Sequence, residues 1–464
     1  MSPDRTGPCR YRQIYGILGM TKNTKESDAG RVRETNFMHG RPNPIDVVIG
    51  MVTSEAHSAP VKLIPSLVAG MDEYFPQYSW TLVHASSSGL WQPTCAPDGY
   101  VKNLVAVQAP RFGVHRVTYP WHDVPAKTNG FRAILEFAQR TCAKVCLIAD
   151  PAQAGFERRW VDSLVRPGIH SKYDLVTPVY SNGSREHLIS GNLLSPLMKA
   201  LFGHGPKQPM PGEFMLSASL INRILARHDW DSASARYTPE MWIAFIAAAE
   251  GYRMAESAVG PSVRQSQAPK LSRQTSIEQI TGSLISLMEQ YEDRWSSPVN
   301  VVELDRFGES ATITNLDPNR DGLEYEVSFV EAFPALRGLW QSILDPHTFT
   351  EIDAFYSSLR IGDANKPFGD ALWVRIFYEI AAAWKNRLLP RSQVLGLFTP
   401  LLLARIGSFL MERQWKEQAE VEAELCRTGR YFEALRPVLD RLWFNRKPLE
   451  EKKRAKAIPR MKAA

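Results

Sequence analysis

The stretch Ile45-Asp46-Val47-Val48-Ile49-Gly50 follows Pro44 and is the first part of this 464-residue chain with a clear structural pattern. It is short, rich in β-branched apolar residues and ended by glycine, which predicts a buried β-strand. Val61 to Tyr74 then carries apolar side chains at helical spacing, and Thr81-Leu82-Val83 predicts a second strand. The small polar run Ala85 to Gly89 predicts the turn that follows it.

The alternation of strands and helices continues towards the middle of the chain. Asn129 to Gln139 predicts a helix, while Lys144 to Ala149 and Asp174 to Pro178 predict strands. Strands that alternate with helices of this length indicate an α/β fold with a mainly parallel sheet flanked by helices. Ligands bind such sheets outside the carboxyl ends of the strands. We therefore expect Gly50 to Ser54, Ala85 to Gly89 and Asp150 to Gln153 to meet on one rim.

From about residue 270 the pattern becomes helical. Thr275 and Glu278 have the spacing of a capping box, and an apolar stripe follows them. A polar connector that could contain a small hairpin is predicted at 296–330. A second stripe, which we interpret as core packing rather than a cofactor site, consists of Trp373, Ile376, Phe377, Ile380, Ala381 and Trp384. Gly396 to Leu410 is apolar except for Arg405 and is predicted to be a buried core helix.

The charge of the chain is concentrated at its end. The formal net charge is +6, and residues 446–464 hold eight Lys and Arg against Glu450 and Glu451, which accounts for the whole excess. We interpret this segment as a solvated basic tail, with contact to an anionic membrane surface or to nucleic acid as alternatives. Because the rest of the chain is close to neutral, it implies no nucleic-acid-binding face, and no nucleic-acid partner is expected. Residues 1–42 lack periodicity and are predicted to be a flexible leader.

The cysteines and the apolar pattern bear on location. Five cysteines form no C-x-x-C pair and no regular spacing, which favours reduced thiols over a disulfide framework. Met1 to Arg12 has no apolar core of a secretory signal, and no uninterrupted apolar run of about 18 residues occurs. A cytoplasmic location is therefore expected.

Several catalytic signatures do not occur in the sequence. It contains no G-x-x-x-x-G-K-[ST], H-E-x-x-H or G-x-S-x-G motif, and no G-x-G-x-x-G follows a predicted strand. The ten histidines lack metal-ligand spacing. These patterns argue against P-loop, zincin, α/β-hydrolase and dinucleotide-binding classes.

Five segments in order resemble one family of enzymes. After the opening PIDVVIGMVTSEAHSAP they are AKTNGFRA (126–133), NLLSPLMKALFG (192–203), KQPMPGEFMLS (207–217), YTPEMWIAFIAAAEGYRM (237–254) and TPLLLARIGSFL (399–410). Together they are similar to the glucosyl-3-phosphoglycerate synthase and mannosylglycerate synthase group of retaining glycosyltransferases, from about Pro44 to Trp443. The resemblance implies a glycosyltransferase-A fold at 43–268 and an α-helical C-terminal region at 269–445.

The chain departs from this family at its metal motif. The family carries D-x-D after its fourth strand, and here Asp150, Pro151 and Ala152 take those positions. A methyl group cannot ligate a hard cation such as Mg²⁺ or Mn²⁺. Arg264 stands near the place of the family's metal-binding His. A guanidinium can pair with phosphate oxygens, so Arg264 is a hypothetical substitute for the ion.

The resemblance also assigns roles to individual residues. It places Glu213 at the donor sugar and Glu240 at the reacting centre, with a surface carboxylate and a helix-start carboxylate as the respective alternatives. The remaining candidates for contact with the nucleotide are Lys127, Arg132, Asp150, Arg264 and Ser54. Lys127 and Arg132 could equally be ordinary helix-surface charges. Ser86 to Gly89 lacks the Asp of the family's S-D-G-G-S segment, which weakens a contact with base or ribose.

Two functions remain open from the sequence. In the first, the chain transfers a hexose from a nucleotide-diphosphate sugar to a small acidic acceptor such as glycerate or phosphoglycerate, with Mg²⁺ or Mn²⁺ expected from the family. In the second, the domain has lost turnover and acts as a binding or scaffold protein. The resemblance further implies a possible homodimer.

Overall fold

The computed structural model describes residues 44–53, 63–86, 114–118, 126–180, 188–263, 273–297, 299–308, 319–362, 368–413 and 418–444. The predicted leader at 1–42, the basic tail at 446–464, Ser54 and Arg264 lie outside the described residues. So do Ser87 to Gly89 of the predicted turn.

The described residues form an eight-stranded, mainly parallel sheet. Its strands are β1 Val47–Thr53, β2 Trp80–Ser86, β3 Val114–Thr118, β4 Val145–Ala149, β5 Leu175–Val179, β6 Phe214–Ser217, β7 Met254–Ala258 and β8 Asp305–Phe307. Their order across the sheet is β3-β2-β1-β4-β6-β5-β7-β8. Among the described strands, only β6 runs against its neighbours, since it pairs antiparallel with both β4 and β5. The predicted α/β architecture is confirmed.

The first strand shows why this sequence forms a sheet covered on both faces. Val47, Val48 and Ile49 are all fully buried. Successive side chains of a strand point to opposite faces. Val48 accordingly packs into one hydrophobic cluster, whereas Val47 and Ile49 pack into another. The strand does not end at Gly50 as predicted but continues to Thr53, because the residues after Gly50 keep pairing with β2.

Helices connect the strands and cover the sheet. They are α1 Leu63–Tyr74, α2 Ala126–Arg140, α3 Arg158–Ser171, a π-helical turn Ser190–Leu194, α4 Ser195–Phe202, α5 Ala218–Leu225, α6 Ala233–Tyr237 and α7 Pro239–Ala249. Ala85 and Ser86, the first two residues of the predicted turn, belong to β2 instead, because they stay paired with β1.

The C-terminal region is helical, as predicted. Its helices are α8 Arg273–Gln290, α9 Glu292–Trp295, α10 Asn319–Ile343, α11 Pro346–Arg360, α12 Asp370–Lys385, α13 Arg391–Arg413, α14 Gln418–Ala434 and α15 Arg436–Phe444. The aromatic stripe from Trp373 to Trp384 is buried on α12. Described residues from both the sheet and these helices share one hydrophobic cluster. The domain boundaries at 268 and 445 stay predictions.

Two local predictions in this region are wrong. The capping box is not at a helix start, because α8 already begins at Arg273. Glu278 accepts a hydrogen bond from the Gln274 amide one turn earlier, at 2.9 Å. The stretch 296–330 is not only a connector: β8 pairs parallel with β7, and α10 begins at Asn319.

The predicted core helix lies inside α13. Within the part of the chain that the structure describes, Arg391–Glu412 is the one helix long and apolar enough to cross a membrane. Of its apolar window, 83% is buried inside the protein, as expected for a core helix. Arg405 is 4% exposed and reaches Asp370 of α12, whose carboxylate is equally buried.

Candidate functional site at the carboxyl edge of the sheet

The loops after several strands start at the same edge of the sheet. Met51 pairs with Ala149 and Thr53 with Ser86, so β1, β2 and β4 end side by side. Because the loops that follow these strands begin there, the rim predicted from the sequence is confirmed where it is described. The antiparallel β6 adds its starting end to this edge, since Phe214 pairs with Ile148 near the end of β4.

The neighbouring strands extend the same edge. Val179, at the end of β5, pairs with Ala258 at the end of β7. The Val259 N–H donates to the Val179 carbonyl at 3.0 Å and prolongs this alignment. The residues that leave the strands here are therefore Tyr180 and Gly260.

Asp150 opens a tight turn directly after β4. Its Oδ1 accepts the Ala152 N–H at 2.9 Å, and its carbonyl accepts the Gln153 N–H at 3.0 Å. Pro151 and Ala152 offer no side-chain ligand. Among the described residues no group of three His, Cys, Asp or Glu could hold a metal ion. The side chains of this loop therefore do not fit the divalent cation that the resembling family holds with the second carboxylate of its D-x-D motif.

Gln153 joins this loop to the segment after β7. Its side-chain nitrogen donates to Ser262 Oγ at 3.1 Å, and its oxygen accepts the N–H groups of Val263 at 2.7 Å and Gly155 at 3.2 Å. Gln153 is 1% exposed. Our sequence reasoning gave Gln153 no role, because the partner segment is remote in the chain.

Glu213 is buried at the start of β6. Its carboxylate is 0% exposed and accepts a short hydrogen bond from the Tyr180 hydroxyl. The Tyr180 ring lies against Trp160, with 5.9 Å between ring centroids. The alternative of a plain surface carboxylate is therefore wrong. The antiparallel direction of β6 accounts for its position, because it brings Glu213 to the end of β4.

Lys127 and Glu240 form an ion pair between the first turns of α2 and α7. Glu240 is 7% exposed and follows Pro239, while Lys127 is 56% exposed. Both helices run back to the amino end of the next strand, so their first turns face the carboxyl edge. Thr128 ties the two regions together, since its hydroxyl donates to the Ala235 carbonyl at 2.8 Å. The resemblance implies separate roles for these two residues, whereas the structure pairs them.

Arg132 lies one turn further along α2. Its Nε donates to Glu136 Oε1 at 3.1 Å on the same helix, and its guanidinium lies 5.5 Å from the Trp230 ring. The pair is partly exposed, with 34% and 42% of the two side chains accessible. This arrangement resembles the surface-charge alternative more than a phosphate contact.

Comparison with known proteins gives structural matches only: no protein-family model and no curated protein matches this chain. Glucosyl-3-phosphoglycerate synthase from Mycobacterium tuberculosis is similar at 15% identity and TM-score 0.33, over 55% of this chain and 81% of that one. Mannosyl-3-phosphoglycerate synthase from Rubrobacter xylanophilus is similar at 15% identity and TM-score 0.34, over 54% and 75%. A mannosyltransferase from Pyrobaculum calidifontis, in complex with GDP-mannose and Mn²⁺, is similar at 14% identity and TM-score 0.34, over 85% and 89%.

The group of enzymes that the sequence resembles thus also occurs among these solved structures. At TM-scores of 0.33 and 0.34, the matches say nothing about the substrate or activity of this chain.

Proposed function

We propose that this chain is a hexosyltransferase that uses a GDP- or UDP-linked sugar and a small acidic acceptor such as glycerate or phosphoglycerate. The observation that carries the proposal is the convergence of Asp150, Glu213 and the segment Gly260 to Val263 at one edge of the sheet. Open α/β sheets bind nucleotides outside the carboxyl ends of their strands. The sequence resemblance supplies the class of donor and acceptor.

Glu213 is the residue best placed to orient the donor sugar. The Tyr180 hydroxyl holds the buried Glu213 carboxylate in one position, so the carboxylate can orient a sugar hydroxyl once the groups that cover it move aside. Asp150 would contact the ribose, as the resemblance implies. The backbone hydrogen bonds of its turn hold the Asp150 carboxylate near the start of the loop.

The transfer itself exchanges one bond for another. The acceptor oxygen bonds to the anomeric carbon, and the bond from that carbon to the diphosphate oxygen breaks. The nucleoside diphosphate leaves with the electron pair, and the acceptor proton passes to it. Retention of anomeric configuration is expected from the resemblance. Lys127 would offset charge on the diphosphate in competition with its ion pair to Glu240, which the resemblance implies lies at the reacting centre.

A divalent cation would supply positive charge at the departing diphosphate in the resembling family. The described residues at Asp150 do not fit such an ion, so we assign this charge to Lys127 and, as a sequence-based hypothesis, to Arg264. Because Ala152 stands where the resembling family has a carboxylate, a second candidate function is also supported. In that case the domain binds a nucleotide sugar or a protein partner without turnover.

Calorimetric titration with UDP, GDP and their hexose conjugates tests the proposal, each in EDTA and with Mn²⁺ or Mg²⁺. Binding in EDTA is expected. The Glu213→Gln substitution should weaken binding of the sugar conjugates by about tenfold and leave the affinity for UDP and GDP unchanged. Glu136→Gln, on the surface of α2, is the matched control.

Binding followed by release of nucleoside diphosphate with an acidic acceptor supports transfer. Binding without turnover favours the second function, and no binding contradicts both nucleotide proposals. A homodimer stays a prediction.

A further inference from the structure

We infer that Gln153 is a positioning residue of this site: its carboxamide, rather than a bound ion, fixes the Asp150 loop against the segment Pro261 to Val263. The inference rests on the proposed function, because it treats this place as a nucleotide site. It adds a residue to which the sequence patterns gave no role.

The hydrogen bonds of Gln153 fix the orientation of its amide. Two backbone N–H groups, of Val263 and Gly155, point at one side-chain atom, which must therefore be the oxygen. The nitrogen then faces Ser262 Oγ at 3.1 Å. A glutamate could keep the two acceptor contacts but not the donor contact. Both ends of the amide are thus used to join two segments that are far apart in sequence.

The backbone reinforces this link. The Ala154 N–H donates to the Val263 carbonyl at 2.7 Å, so Val263 is held through both its N–H and its C=O. At Gly155, a Cβ atom would lie 2.8 Å from the Pro261 carbonyl oxygen. Only glycine permits so close an approach without a shift. The three neighbouring residues Gln153 to Gly155 therefore all hold the loop against the segment after β7.

The other side of the segment is also enclosed. A Cβ at Gly260 would lie 3.2 Å from a Glu157 carboxylate oxygen and 3.3 Å from the Trp160 indole nitrogen. The segment after β7 thus lies against the start of α3. It has a fixed path, and Gln153 ties the Asp150 loop to that path. The site can therefore keep its shape without a metal ion at Ala152.

The test uses Gln153→Leu, which keeps the approximate size and removes both hydrogen-bonding functions. Ser262→Ala is a milder variant that removes one bond. Gln139→Leu is the matched control, since Gln139 hydrogen-bonds Asn222 on the surface. Two quantities are measured on the full chain: amide hydrogen exchange at Gly155 and Val263, and the Kd for UDP and GDP in EDTA.

We expect Gln153→Leu to raise exchange at both amides and to weaken UDP or GDP binding by about tenfold or more. The Ser262→Ala substitution should weaken nucleotide binding by a few-fold, and Gln139→Leu should leave it unchanged. A merely structural role would raise exchange but leave the Kd of the folded protein unchanged, which would overturn the inference and spare the proposed function. Wild-type binding that requires Mn²⁺ would also overturn it. Failure of the wild type to bind either nucleotide under any condition would overturn both.

Discussion

The ammonium group of Lys127 pairs with the carboxylate of Glu240 across two helices whose first turns meet at the carboxyl edge of the sheet. Glu240 is nearly buried, whereas Lys127 remains half exposed. The carboxylate of the pair is therefore shielded from solvent, whereas the ammonium group is accessible. A ligand that approaches from solvent contacts the lysine first.

The two members of this pair should respond differently to substitution. Lys127→Ala leaves a nearly buried carboxylate without its cation, and we expect the free energy of unfolding to fall by about 1–3 kcal/mol. If Lys127 binds diphosphate, this variant also weakens UDP and GDP binding. Glu240→Gln should keep or strengthen that binding, because the lysine loses its competing partner. Equal loss of affinity in both variants would contradict a phosphate contact by Lys127 alone. Urea denaturation and calorimetry give the two readouts.

The buried pair of Arg405 and Asp370 should matter most for stability. Both side chains are 4% exposed, and Arg405 also donates to the Asn192 side chain at 3.0 Å and the Phe368 carbonyl at 2.8 Å. Arg405→Met removes the buried cation, while Asp370 keeps its contacts with Arg427 at 2.7 Å and Thr428 at 2.8 Å. The loss in urea denaturation should therefore be at most about 3–5 kcal/mol.

Arg337→Met is the control for this change, because the Arg337–Asp353 pair is exposed at 52% and 35%. It should cost less than about 1 kcal/mol. Comparable losses in the two variants would show that the buried network around Arg405 adds nothing special.

Acid should destabilise the protein through two carboxyl groups. Burial acts to raise the pKa of Asp370, but Arg405 and Arg427 bring it below its ordinary value of 3.8. Burial also acts to raise the pKa of Glu250, but hydrogen bonds from Arg223 and Tyr291 outweigh it and bring this pKa below its ordinary value of 4.5. A lowered folded pKa gives stability that is complete above the unfolded pKa and is lost as the pH falls through the folded one.

We therefore expect the free energy of unfolding to fall as the pH drops below about 4.5. The Asp370→Asn variant should have a lower free energy of unfolding at neutral pH, and this free energy should fall less steeply as the pH drops. Urea denaturation at a series of pH values measures both slopes. An unchanged slope in Asp370→Asn would show that Asp370 does not carry this dependence.

Gly50 should not accept a methyl group. A Cβ there would lie 2.4 Å from Ile134 Cγ2, because α2 packs closely on β1 at this point. Gly50→Ala should cost about 1–3 kcal/mol by overpacking. Adding Ile134→Ala should make the double variant more stable than the sum of the single losses predicts. Gly338→Ala is the control: a Cβ there meets nothing within 4 Å, so no loss is expected. Additive effects at Gly50 and Ile134 would contradict the contact.

Much of the fold follows from short patterns. The β-branched run before Gly50 and the strand at Val145–Ala149 were predictable because buried parallel strands are apolar throughout. The aromatic stripe of α12 was predictable because helical periodicity is local. The antiparallel direction of β6 and the short β8 were not predicted, since strand pairing depends on distant partners.

The sequence by itself determined the alternation of strands and helices, the helical C-terminal region and the substitution of a carboxylate by Ala152. These are properties of neighbouring residues. Only the tertiary structure decided that Lys127 meets Glu240, that Glu213 is buried against Tyr180, and that Gln153 holds Val263. Each of these contacts joins separate segments, and their geometry exists only once the sheet has aligned the ends of its strands.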